Sequence, residues 1–236
     1  MMSVNIANAL INYDVQSHLC VTRNEGKLKQ KLEDGVGYVF INKKTRIDIT
    51  AILKLRAYLN NNKIDVIHAH SSSYFMASIL KIFYPKVKLI WHDHYGNSEN
   101  LKERKLFPLK IFSRYFYAII SVNNLLKKWA EENLKAKNIY YLQNFASLSD
   151  VSIKTTLKGE NGKRIVCLAG LRPQKDHLNL LKAFKIVLKA NQDWTLHIVG
   201  NQYNDRYYQN IKEFIQVNSL SNSVFLYHNS TDIKNI

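Results

Sequence analysis

Glycine and proline are scarce here, eight and three among 236 residues. An all-β protein that turns every ten residues or so cannot be built from so few, and collagen-like and linker-like compositions are excluded with it. Cysteine is nearly absent too. Cys20 and Cys167 lie far apart, each inside an apolar run where a free thiol behaves as a small core side chain. That excludes a disulfide scaffold and predicts a reducing compartment. No basic leader with an apolar core opens the chain, and no apolar run reaches the roughly 18 residues of a membrane span. The most apolar stretch, 111–122, is interrupted by Ser113 and Arg114. A cytoplasmic protein is expected.

Acidic residues are the last deficit. Against 34 Lys and Arg stand 18 Asp and Glu, a formal charge of +16. One reading is a solvated, Lys-rich surface; the other is attraction to phosphates, whether of a nucleotide, a nucleic acid or an anionic lipid. Residues 81–114 concentrate the excess, with Lys81, Lys86, Lys88, Lys102, Arg104, Lys105, Lys110 and Arg114 facing only Asp93, Glu99 and Glu103. No segment resembles a stacking platform for single strands, so nucleic-acid binding rests on charge alone and is not expected.

What is present is an alternation. Short Val- and Ile-rich runs at 15–21, 38–41, 65–70, 88–92, 118–122, 139–142, 164–169, 195–199 and 223–226 read as strands. Between them lie helix-period segments such as 49–59 and 178–188, where Leu180, Leu181, Phe184, Val187 and Leu188 share one face. Strand, helix, strand in repetition predicts parallel sheets with right-handed crossovers and ligands at the carboxyl ends of the strands. Residues 145–162 break the period and predict a linker, with a long surface loop as the alternative. The expected organisation is a domain over 1–146, a linker over 147–162 and a second domain over 163–236. Residues 1–11 read as an amphipathic helix with no strand or Gly-rich turn before it, and 231–236 read as the start of another helix. Both domains are therefore expected to be truncated.

Two constellations carry chemistry. Gly170-Leu-Arg-Pro-Gln-Lys-Asp-His177 follows a strand and opens a helix, with Asp176 as the expected N-cap. Free N–H groups and the positive helix end there favour an anion, and Arg172 and Lys175 add a bidentate and a point cation suited to a diphosphate. The alternative is an ordinary loop with solvated cations. The second constellation is His68 and His70 at one strand end and His92 and His94 at another, with Asp93 beside them. Two H-x-H pairs supply enough imidazoles for zinc; alternatively one or two bind a polar ligand and the rest are core histidines. GxGxxG, the P-loop, the G-x-S-x-G elbow and H-E-x-x-H do not occur.

Asp65-Val-Ile-His-Ala-His-Ser71, Ile90-Trp-His-Asp93, Ile119-Ile-Ser-Val122, Tyr141-Leu-Gln-Asn144, Leu168-Ala-Gly-Leu-Arg-Pro-Gln-Lys175 and Leu196-His-Ile-Val-Gly200 together resemble, in order and spacing, glycosyltransferase family 4. The resemblance implies a GT-B fold, two Rossmann-like domains facing a cleft, and transfer from a sugar nucleotide with retention of anomeric configuration. It implies that Arg172 and Lys175 neutralise the donor diphosphate and that His92, the candidate catalytic residue, contacts the donor sugar; His70, Asp93, His94, Asn144 and Gly170 are further candidate cleft residues. It implies no bound metal and no cofactor. The implied partners are a sugar nucleotide and a glycan or lipid-linked acceptor, with peripheral contact between residues 81–114 and the anionic inner face of the plasma membrane. The sequence departs from the family where Phe145 follows Asn144, and it lacks both the amino-terminal Gly-rich loop and the E-x7-E carboxylates. The expectation is a fragment of a longer enzyme, weakly active or inactive alone. A non-catalytic nucleotide-binding module and a phosphate-backbone binder are the alternatives.

Overall fold

The computed structural model describes residues 2–145 and 154–228 together with 230, 232 and 236. The chain divides into two compact units, Met1–Ser147 and Leu148–Ile236.

The first unit runs α1 (Met2–Leu10), β1 (His18–Val21), β2 (Gly37–Phe40), α2 (Ile49–Asn61), β3 (Val66–His70), α3 (Tyr74–Phe83), β4 (Lys88–Asp93), α4 (Leu109–Phe112), β5 (Ala118–Ser121), α5 (Asn124–Asn133) and β6 (Ile139–Tyr141). All its strand pairs are parallel. They form a two-stranded sheet, β1-β2, and a four-stranded sheet, β3-β4-β5-β6. The register sets His70 opposite His92 and Asp93 opposite Ser121, so the polar ends of β3, β4 and β5 line up at one edge. Below them Leu89, Trp91 and Ile119 form a core with Trp129 and Ala130 of α5. A separate core joins Ile52, Leu55 and Leu59 of α2 to Met76 and Leu80 of α3. Helix starts follow local chemistry: the Asp48 carboxylate accepts the Ala51 N–H at 3.0 Å and the Asn123 side-chain oxygen accepts the Leu126 N–H at 2.8 Å, each a donor that the first helical turn leaves free.

The second unit runs β7 (Arg164–Leu168), α6 (His177–Ala190), β8 (Thr195–Val199), α7 (Arg206–Val217) and β9 (Val224–Tyr227), with the parallel order β7-β8-β9. The helical stripe at 178–188 packs as its period requires. Leu181 and Phe184 are buried against Leu196, Ile198 and Ile211, each burial contributing about 1.5–3 kcal/mol. Gly200 is where the ends of β7 and β8 meet: a Cβ there would lie 2.1 Å from the Ala169 carbonyl oxygen, so only glycine fits.

Of the expected linker, residues 146–153 lie outside the described residues. Residues beyond them belong to the second unit: the Lys154 and Thr155 N–H groups donate to the Asp232 carboxylate and Leu157 is buried. The helix expected from 231 lies largely outside the described residues. Both cysteines are half-buried free thiols, and burial pushes the Cys20 thiol up to about 12.

Candidate functional site

In the first unit, alternation along β3 and the end of β4 gathers four imidazoles. His68 and His92 lie 5.1 Å apart between ring centroids with planes 5° from parallel, His92 and His94 stack at 4.1 Å, and His70 Nδ1 is 2.9 Å from His94 Nε2. His92 is fully buried, and neither of its ring nitrogens has a hydrogen-bonding partner; His68 Nε2 and the Ser121 hydroxyl are likewise buried and unpartnered. Such atoms are costly unless a ligand meets them. Burial, with the neighbouring imidazoles adding repulsion, pushes His68 down to about 4 and His92 to about 3, from 6.5. His70 falls to about 2 for the same reasons. The cluster is therefore neutral at pH 7, able to accept or donate hydrogen bonds without carrying charge.

Candidate ligand nitrogens of His68, His70 and His92 lie within 4.8 Å of one another. His68 nevertheless stacks on both His70 and His92, which are tilted by 33° to each other, and nitrogen lone pairs lie in the ring plane. Converging on one ion at the 2.0–2.1 Å expected for zinc requires the rings to turn. The geometry suits a row of hydrogen-bonding edges better.

Asp93 does not join this row as a free cleft residue. Its carboxylate is 1% exposed and held in a two-point pair with Arg104, at 2.6 and 2.8 Å. The Arg104 guanidinium sits over the rings of Trp129 and Tyr95 at 4.2 and 4.4 Å, and its side chain is 8% exposed. That corrects two expectations at once. Asp93 is already neutralised by a partner eleven residues along the chain, and Arg104 is no part of a basic surface. Lys81 is also committed, donating to the Pro85 and Val87 carbonyls. Lys86, Lys102, Lys105, Lys110 and Arg114 remain exposed. Asn144 follows β6 and is exposed.

In the second unit the Gly170–His177 loop leaves the carboxyl end of β7 as expected. Arg172 and Lys175 are both exposed, the first as the N-cap and the second as the last residue of a single 3-10 turn. The Arg172 guanidinium is held by Tyr203, donating to its hydroxyl through Nη2 at 2.5 Å and Nε at 3.1 Å; this bond lowers the pKa of the Tyr203 phenol. Gly170 lies beside the same tyrosine, with room for a methyl group. The expected cap differs. Asp176 occupies the N-cap position in the left-handed region, φ 48°, and its side chain caps nothing. The first helical N–H, that of His177, donates to the Tyr207 hydroxyl at 2.8 Å. What the loop offers an anion is thus two exposed cations and a helix dipole rather than a full cradle of free N–H groups.

Tyr203, Tyr207 and the buried His177 are given no role by the sequence, and Arg104 enters there only as a cation of the basic stretch. Tyr203 was within reach, because it lies three residues past Gly200, at the carboxyl end of the strand beside β7.

Residues 2–150 match the profile described as Glycosyltransferase Family 4, and residues 149–236 match Glycosyl transferases group 1. A Haemophilus influenzae protein described as an uncharacterized glycosyltransferase is 24% identical, the match covering 98% of this chain and 68% of the relative. Among solved structures, a glycosyltransferase from Rickettsia africae is 18% identical with a TM-score of 0.71, over 99% of this chain and 65% of that one. Anabaena HepE, solved in complex with UDP and glucose, is 14% identical with a TM-score of 0.69, over 98% and 66%. The chain thus spans about two thirds of the length of each. These likenesses show the fold, Rossmann-like parallel layers of the GT-B type. On the match over 2–150, the chain belongs to glycosyltransferase family 4.

Proposed function

We propose that the protein transfers a sugar from a nucleoside-diphosphate sugar to a glycan or lipid-linked acceptor in surface polysaccharide synthesis, with retention of configuration and without a metal or cofactor. The observation that carries the reading is the loop after β7, where exposed Arg172, braced by Tyr203, and Lys175 stand at the start of α6. As the sugar leaves, negative charge grows on the β-phosphate. A braced Arg172, the Lys175 ammonium and a helix end stabilise that charge more in the transition state than in the bound donor, which is what accelerates the step. His92, neutral and with both ring nitrogens unpartnered, is suited to hydrogen-bond a sugar hydroxyl. HepE holds UDP and glucose, which makes UDP the natural probe. By calorimetry, Arg172→Ala and Lys175→Ala should each weaken UDP binding by about 1–3 kcal/mol, the worth of a charged hydrogen bond. Unchanged affinity in both variants removes the loop from the site.

A lipid-linked acceptor is favoured by one surface feature. Phe107 is 75% exposed and Tyr117 52%, in the same segment as the exposed Lys105, Lys110 and Arg114. Aromatic rings beside cations suit the interface of an anionic bilayer. Among the described residues no helix is long and apolar enough to cross a membrane, so the contact would be peripheral.

A further inference from the structure

The chain leaves β2 through Asn42, which turns in the left-handed region at φ 57°, a conformation Asn tolerates. Lys43 is thereby brought back against the end of β1, where its N–H donates to the Thr22 carbonyl at 2.6 Å, and Arg23 follows Thr22 directly. The Lys43 ammonium reaches forward to the Arg46 carbonyl at a long 3.4 Å, and the Arg46 guanidinium lies 4.7 Å from the centre of the Phe75 ring. Phe75 belongs to the first turn of α3, which follows closely on the end of β3 at His70. The cations therefore stand on the same edge of the first unit as the histidine row.

Arg23, Lys44 and Arg46 are exposed and Lys43 is half-buried. The carboxylates of these loops have other partners. Asp48 accepts the Lys44 N–H at 2.9 Å, the Thr50 hydroxyl at 2.7 Å and the Ala51 N–H at 3.0 Å. Glu25 accepts Lys29 at 3.0 Å and the Tyr38 hydroxyl at 2.6 Å. Among the described residues none of Arg23, Lys43, Lys44 and Arg46 forms an ion pair. Burial, then the charges of Arg23 and Arg46, push the Lys43 pKa below its usual range against the pull of Asp48. Like charges held this close repel one another, and a bound anion removes the repulsion. A neutral sugar hydroxyl does not. Two guanidinium forks and an ammonium suit a phosphate, which offers oxygens to both forks and up to two negative charges.

We propose that Arg23, Lys43 and Arg46 form an anion site separate from the donor loop, and that it takes a phosphate group carried by the acceptor. The site rests on the placement of the cations; that its phosphate belongs to an acceptor rests on the transferase reading.

Lys43 is its own reporter, because a lysine of depressed pKa is the more reactive nucleophile. Each lysine's rate of acylation is followed by mass spectrometry, with inorganic pyrophosphate as the probe. An anion seated beside Lys43 should raise its pKa by about one unit and slow its labelling about tenfold, while the exposed Lys102 and Lys189 keep their rates. UDP should protect Lys175 at concentrations that leave Lys43 reactive, and pyrophosphate added on top should then protect Lys43 too, since donor and acceptor are bound together for transfer. In an Arg23→Gln, Arg46→Gln double variant, pyrophosphate should no longer slow Lys43, with UDP protection of Lys175 intact. An unchanged Lys43 rate overturns the proposal, as does equal slowing of every lysine or protection of Lys43 by UDP ahead of Lys175. Protection by phosphatidylglycerol vesicles with none by pyrophosphate also overturns it, assigning the cluster to a membrane surface. Lys43 protection without UDP binding upholds the anion site and removes the transferase reading on which the acceptor rests.

Discussion

Arg104 shows how a residue's role is decided by what it touches. In sequence it is one of eight cations between 81 and 114; in the fold it is a buried partner of Asp93, enclosed by Trp91, Tyr95 and Trp129. A buried pair is costly to break because the survivor is left charged and dry. Arg104→Ala should lower unfolding free energy by about 3–5 kcal/mol in urea titration, and Arg104→Lys should recover little, since an ammonium cannot reproduce the two-point fork. The histidine row carries a pH signature. His68 and His92 titrate near 4 and 3 in the native state against 6.5 for the free side chain. Below pH 6.5 the unfolded chain takes up protons that the native row refuses, so their contribution is whole above 6.5 and is lost as pH falls toward 4 and then 3. Melting temperature should drop between pH 7.5 and 5. His92→Leu should flatten that slope by up to about 1.4 kcal/mol per pH unit.

At the scale of elements, period and turn chemistry were legible. The strands expected at 65–70, 88–92 and 195–199 correspond to β3, β4 and β8 within a residue, because buried parallel strands are short Val- and Ile-rich runs between polar turns. The expected strand over 15–21 begins only at His18, where pairing with Gly37 starts; ladder partners, not composition, set that end. The cap of α6 was misread for a comparable reason. Asp is a common N-cap, yet Tyr207 of α7 reaches the first N–H from 30 residues away, and a local rule contains no such neighbour. Gly200 belongs to this scale as well. A methyl group there meets backbone at Ala169, which cannot rotate aside, so Gly200→Ala should cost about 1–3 kcal/mol by thermal or chemical denaturation. It should also loosen the adjoining Gly170–Lys175 loop, weakening UDP binding.

For the whole molecule the +16 charge is a field rather than a site. It draws anions of every kind, and only arrangement gives selectivity. Replacing Lys105, Lys110 and Arg114 by Gln should reduce sedimentation with anionic vesicles by about 3 kcal/mol, roughly a hundredfold, while leaving UDP affinity unchanged. Loss of neither, or of both together, speaks against a membrane face distinct from the donor loop.

Local period, turn residues and motif spacing suffice for the α/β class, the parallel layers, the order of the elements and the two clusters of candidate residues, and all of these lie within short windows of the chain. Which charges are free follows only from the folded packing. Asp93, Arg104 and Lys81 are spent on partners, Arg172 is braced, and the four histidines gather with most of their rings stacked. Pairing, burial and ring orientation depend on neighbours brought together across tens of residues, and no window along the chain contains them.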